Sequence, residues 1–179
     1  MDKIVTQDCL ASLNAKAETL SWQVRWSVAT RFDDPELNRL LALWYEKAAY
    51  GFPTRSDFGL KQLKPVLPDV SIIERVHAKS GPRYRVRLVG TAIAQSFGEQ
   101  TGKFIDDFVP SELMDRWAGG YDAILATGKP IRVVNKFALP QVNYLYGEAL
   151  SAPLADSKGE PNLVLSVTYM SARPRDIES

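Results

Sequence analysis

The chain has 179 residues, 45% of them hydrophobic and 24% charged, the size and make-up of one globular domain with a modest appendage. Its 22 Lys and Arg stand against 21 Asp and Glu, a formal charge of +1 that lacks the basic excess of a nucleic-acid binder. A lone cysteine, Cys9, excludes an internal disulfide, and with the lone histidine, His77, it cannot assemble a Cys/His metal cage. Asp8 breaks the short apolar run at the N-terminus, so no signal peptide is expected. No stretch approaches the roughly 18 apolar residues of a membrane span, and the cytoplasm is the expected compartment.

Residues 1–34 read as an N-terminal helical extension without strand-like segments. Leu10, Leu13, Ala17, Leu20, Val24 and Val28 recur at steps of three or four, the spacing of one helical face, and Trp22 and Trp26 form an adjacent stripe. The step from Leu10 to Val24 fits two heptads, which serve either packing on the same chain or a dimer contact through Leu13, Leu20 and Val24. Asp34 suits a helix cap and Pro35 a first helical position. The helix they open carries Leu37, Leu40, Leu41 and Trp44 on one side and stops near Gly51-Phe52-Pro53.

Beyond Pro68 the pattern changes to strands. Val70 to Ala78 is rich in β-branched residues, and Ser80-Gly81-Pro82 is a turn. Arg83 to Val89 alternates, with Tyr84, Val86 and Leu88 expected on one face and Arg83, Arg85 and Arg87 on the other. Thr91 is placed to cap a short helix ending at Phe97, and Phe104 to Val109 reads as another helical turn. Ser111 opens a longer helix with Leu113, Trp117, Tyr121 and Ile124 inward, ended by Gly128-Lys129-Pro130. Strands are expected at Ile131 to Ala138, Val142 to Ala152 and Pro161 to Ser171. The order is that of one antiparallel α+β domain over 35–172, with a tail at 173–179.

Motifs of common chemistries are missing. Thr101-Gly102-Lys103 and Thr127-Gly128-Lys129 lack the rest of a phosphate loop and read as turns. His77 ends a strand with no nucleophile context, and Cys9 reads as a small apolar group. Asp106-Asp107 is a carboxylate pair, but adjacent residues of a helical turn point about 100° apart and do not converge on one atom. Arg83, Arg85 and Arg87 form a basic row that is either solvated and internally paired or open to an acidic partner, with Arg132 or Lys136 able to join it. Phe97, Phe104, Phe108, Trp117 and Tyr121 are expected to face the same space as Tyr84, Val86 and Leu88, either as packed core or as the lining of a small-molecule cavity.

From about Leu40 to Tyr169 the chain resembles a PAS domain, in particular the small bacterial proteins that consist of one such domain. The resembling segments are Leu67-Pro68-Asp69-Val70, Tyr84-Arg85-Val86-Arg87-Leu88-Val89-Gly90-Thr91-Ala92, Gly102-Lys103 before Phe104, and Pro153-Leu154-Ala155-Asp156 before the closing strand. Arg175-Asp176-Ile177-Glu178 is similar to the Asp-Ile-Thr that often closes such domains, with Glu178 in place of the threonine. The resemblance implies a five-stranded antiparallel sheet with short helices across one face, preceded here by the N-terminal helices. It also implies a sensory or regulatory module that binds a small molecule, a partner protein or both, rather than an enzyme.

Under that resemblance the ligand pocket is expected at Tyr84, Val86, Phe97, Phe104, Trp117 and Tyr121, and the partner surface at Arg83, Arg85, Arg87, Leu13, Leu20 and Val24. No catalytic residue, metal or cofactor is expected. A flavin photosensor of the family needs a cysteine, and a haem sensor a histidine, between Thr91 and Gly128, where neither occurs, so both cofactors are disfavoured. The expected molecule is a homodimeric signalling module taking an apolar or aromatic ligand, without nucleic acid or membrane span. The alternatives are a small proton-transfer enzyme using Asp106 or Asp107 and an adaptor docking an acidic partner on the arginine row.

Overall fold

The computed structural model describes residues 3–139 and 142–171, with side chains described over 9–136 and 146–171. The 173–179 tail, with its Arg175-Asp176-Ile177-Glu178 ending, lies outside the described residues. In chain order come α1 (Lys3–Thr19), β1 (Val24–Val28), α2 (Pro35–Lys47), the short α3 (Leu60–Leu63), β2 (Val70–Ala78), β3 (Gly81–Val89), α4 (Thr91–Phe97), α5 (Ser111–Thr127), β4 (Ile131–Leu139), β5 (Val142–Ala155) and β6 (Pro161–Ser171). The strands form one antiparallel sheet in the order β1-β4-β5-β6-β2-β3.

The expected 10–28 helix is two elements. It breaks at Ser21, a non-glycine residue at φ 54°, and the chain returns as β1 against β4, with Trp26 opposite Val133. Val24 and Val28, four apart, fit a helical face and a strand face equally well. Burial of Val24 and Trp26 on either side of the exposed Arg25 shows that the strand period governs. The sheet therefore has six strands rather than five.

Helices cover both faces of this sheet, not one. On one side Leu10, Leu13 and Ala17 of α1 and Tyr121, Ile124 and Leu125 of α5 pack with Val24, Trp26, Val133 and Ala149. On the other, Leu37, Leu40, Leu41 and Trp44 of α2 pack with Val70, Leu150, Leu154 and Leu165. Leu37 and Leu40 are fully buried, worth about 1.5–3 kcal/mol each. The sequence reading of α2 holds in detail, since Asp34 Oδ1 accepts from the Glu36 N–H over 2.8 Å with Pro35 in the first turn. Trp44 Nε1 donates to the Pro153 carbonyl over 3.0 Å and ties α2 to β5.

Leu88 departs from the expected alternation. A bulge between Ile72 and Ile73 pairs Ile72 with Leu88 but Ile73 with Val86. One extra residue reverses the face, so Tyr84 and Val86 point to α5 while Leu88 joins the α2 side. Gly90 follows because nothing larger fits. A Cβ there would stand 2.3 Å from the Leu67 carbonyl oxygen and 2.4 Å from that of Pro68. This contact gives the Leu67-Pro68 and Val89-Gly90-Thr91 segments of the sequence resemblance a common physical cause.

Candidate functional site

The space between α5 and the sheet is shaped by Gly119 and Gly120. Mid-helix glycine costs about 1 kcal/mol relative to alanine, and here it allows close approach. A Cβ at Gly119 would lie 3.2 Å from Leu13 Cδ1, and one at Gly120 would lie 3.2 Å from Trp26 Nε1. Helix α5 is thereby held against α1 and β1 at its middle. Lys16 Nζ reaches Asp115 Oδ2 over 2.7 Å across the same helix pair, in an exposed bridge that contributes little.

Between this helix and the strands lies a cavity of about 110 Å³. Its helical wall is Arg116, Trp117, Gly120, Tyr121 and Ile124. The floor carries Val24, Val133 and Ala149 together with polar side chains contributed by neighbouring strands. Ser151 of β5 sits opposite Ser166 of β6, which sits opposite Ser71 of β2, so the antiparallel register lines up three serines separated widely in sequence. The Ser151 and Ser166 hydroxyls are 2.7 Å apart and hydrogen-bonded. Asn135 of β4 also lines the cavity, and its buried Oδ1 has no hydrogen-bond partner among the described residues.

The six residues named for the pocket separate into three groups. Trp117 and Tyr121 line the cavity, with ring centroids 6.2 Å apart. Tyr84 and Val86 are core beside it: Tyr84 stacks on Tyr121 at 5.1 Å, and its hydroxyl donates to Asp122 Oδ1. Burial, reinforced by that carboxylate, pushes the Tyr84 phenol far above its ordinary range. Phe97 lies outside, on an open groove of about 820 Å³ that also takes Leu20, Phe108 and Leu113. Phe104 lies beneath Arg83, its ring centroid 3.8 Å from the guanidinium carbon. Arg116 and Trp117 border both the cavity and the outer groove.

The partner-surface residues are equally divided. Leu13 and Val24 are buried in the core of their own chain, whereas Leu20 is 50% exposed on the outer groove. Arg83 meets Asp106 at 2.9 Å and Asp107 at 3.3 Å, while Arg85 and Arg87 reach Glu74 at 2.7 and 3.5 Å. The row is internally paired. Arg132 does not join it: β4 is four strands away from β3, and Arg132 Nε bonds the fully buried Glu148 at 2.7 Å. Lys136, on the same strand, stands 5.8 Å from the Tyr146 ring. The Arg83 guanidinium holds the Asp106 carboxyl below the usual carboxylate range, so it is ionised rather than set up as an acid. Burial pushes the Cys9 thiol up, away from reactivity.

Sequence reasoning missed Arg116, Asn135 and the three serines. A single arginine on a helix has no distinguishing pattern, and the serines meet only through strand register.

No protein-family model matches the chain. No curated protein matches it either. Solved structures do. A light-oxygen-voltage domain described in connection with a flavin analogue is 16% identical, over 64% of this chain and 84% of its own, at a TM-score of 0.43. The Rhodobacter sphaeroides LOV protein is 14% identical over 82% and 73%, at 0.41. A sensory box histidine kinase/response regulator from Burkholderia thailandensis E264 is 13% identical over 63% and 84%, at 0.36. The six-stranded antiparallel α+β sheet is consistent with the PAS resemblance of the sequence, and at these identities and TM-scores the neighbours add a likeness of fold alone.

These neighbours correct the cofactor expectation. Light-oxygen-voltage domains recur among them, one of them in connection with a flavin analogue, so flavin does not stand as disfavoured. Among the described residues, no helix is long and apolar enough to cross a membrane.

Proposed function

We propose that this chain is a sensory module of PAS type that holds a small molecule between α5 and the sheet and passes the bound state to α1. The observation that carries the reading is the cavity itself. It is walled by Trp117 and Tyr121 yet contains polar groups, Arg116 and the Asn135 Oδ1, that have no partner among the described residues. Buried polar groups are ordinarily satisfied, and a ligand is one way to satisfy them.

Helix α5 faces the cavity with Trp117 and Tyr121 and meets α1 through Gly119 against Leu13. A ligand that favours one seating of α5 shifts the population of α1 packings by its difference in affinity for them, and no further. In this reading the chain serves bacterial signal transduction, and the groove with Leu20 and Phe97 is the surface presented to a protein partner.

The test is to denature the purified protein and identify what is released by mass and absorbance, for the wild type and Trp117→Ala. The expected result is one compound, a flavin being recognised by its colour, in stoichiometric amount from the wild type and lost from Trp117→Ala. Equal release from both proteins takes the cavity out of the account.

A further inference from the structure

Most arginines around the sheet have partners, and Arg25 and Arg31, which have none among the described residues, are exposed to water. Arg39, Arg75, Arg83, Arg85, Arg87 and Arg132 each stand 2.7 to 3.7 Å from a carboxylate. Arg55 donates to the Phe58 carbonyl at 3.2 Å. Arg116 differs. It is partly buried on α5, and among the described residues it has neither an ion pair nor a hydrogen bond. Glu112, one turn earlier, shares the outer groove with it, but its Oε2 pairs with the Ser111 hydroxyl at 3.4 Å. A guanidinium stays charged in proteins, and desolvating it without an anion is costly.

Arg116 lines the same cavity as Asn135, whose buried Oδ1 has no donor among the described residues. Beside them, the Ser151–Ser166 pair uses one hydroxyl proton for its mutual bond, which leaves the other proton for an acceptor. The cavity therefore offers a cation and a hydroxyl donor for an anionic group, and one acceptor for a donor. Its remaining surface is Val24, Val133 and Ala149 beside Trp117. At about 110 Å³ it is smaller than the roughly 150 Å³ engineered cavity that holds benzene, a size suited to a short aliphatic chain.

We propose that Arg116 and Asn135 form the polar end of a site for a short aliphatic hydroxycarboxylate. The guanidinium takes the carboxylate in a forked charge-assisted pair, Asn135 Oδ1 accepts from the ligand hydroxyl, and the valines take the hydrocarbon part. This rests on reading the cavity as a ligand site, and names the chemistry that site selects.

The test is calorimetric titration of the full chain with 3-hydroxybutyrate, butyrate and 1,3-butanediol. The hydroxy acid is expected to bind tightest. Butyrate, which leaves Asn135 unpaired, should bind about tenfold more weakly, and the diol, which leaves Arg116 unpaired, weaker still. Arg116→Gln should weaken the acid by about tenfold or more without changing the diol. It should also melt no lower than the wild type, because an unpaired charge is removed; a lower melting temperature assigns Arg116 a structural role and overturns the proposal. Equal affinity for acid and diol, or an unchanged Arg116→Gln, also overturns it. If no probe binds but the purified protein releases another compound that Trp117→Ala loses, the site chemistry is wrong and the sensor reading stands. If nothing binds and nothing is released, both fall.

Discussion

Asn14 in α1 closes both backbone groups of Trp26 in the edge strand β1. Its Nδ2 donates to the Trp26 carbonyl over 2.8 Å, and its Oδ1 accepts from the Trp26 N–H over 3.0 Å. One side chain thus imitates a neighbouring strand at an edge that otherwise invites pairing with another chain. At the opposite edge, Val86 N–H donates to the Lys103 carbonyl over 2.9 Å and Gly102 N–H to the Val86 carbonyl over 2.8 Å. Both edges are therefore guarded by the chain's own segments.

Asn14→Leu keeps the side-chain volume but removes both bonds. The expected cost is about 1–3 kcal/mol in urea unfolding, the penalty for leaving buried backbone groups unpaired. Faster hydrogen exchange at the Trp26 amide is expected with it. An unchanged midpoint and exchange rate would mean that water replaces the asparagine at no cost.

Gly90→Ala should be among the most damaging single substitutions. The new methyl would meet the Leu67 and Pro68 carbonyl oxygens at 2.3 and 2.4 Å, and both are backbone atoms that cannot turn aside. A loss of about 3 kcal/mol is expected, at the upper end for overpacking, measured by thermal or urea unfolding. Gly81→Ala makes the contrast, since its Cβ would meet nothing within 4 Å and only its φ of 116° is strained.

The Arg132–Glu148 pair gives a sharper test of what a buried charge does. Glu148 is fully buried, and Arg132 Nε holds its Oε1 at 2.7 Å while the Asp33 N–H approaches the same oxygen at 3.4 Å. Arg132→Met alone removes this cation from the buried carboxylate and should cost about 3–5 kcal/mol. Adding Glu148→Leu should recover most of that loss, as apolar replacement of whole pairs often does. Equal destabilisation by the single and double variants would show that the pair's contribution is shape rather than charge.

Acid sensitivity should trace in part to Asp106. The hydrogen bonds from Arg83 lower its carboxyl pKa in the folded state, so its contribution is fully present above the unfolded value, near 3.9, and is lost as pH falls through the folded one. The pair is largely exposed, which screens the effect to under about 1 kcal/mol. Arg83→Gln should therefore lower neutral stability slightly, leave stability in strong acid unchanged, and flatten the fall below pH 4 by the same small amount. A steeper acid limb in the variant would contradict this sign.

Much of the architecture is legible in the residues. Asp34-Pro35 and the leucines after it specify α2, and the β-branched run from Val70 specifies β2. The misreadings share one cause, a local period that fits two answers. Val24 and Val28 satisfy helix and strand alike, and only pairing with β4 decides between them. Leu88 obeys a strict alternation until the bulge at Ile72/Ile73 turns it to the other face. The cavity was half legible: Trp117 and Tyr121 stand at helical spacing, whereas Ser71, Ser151 and Ser166 become neighbours only through register. Arg116 is distinguished by being partly buried with no carboxylate beside it among the described residues, which no sequence pattern displays.

The most direct measurement is the native mass of the freshly purified chain against its denatured mass. The account predicts extra mass on the folded protein that denaturation removes, equal to one small molecule per chain. A folded protein whose native mass is that of the polypeptide alone, and which binds none of the titrated probes, would contradict the central claim, and the cavity beneath Trp117 would then be a packing gap rather than a site.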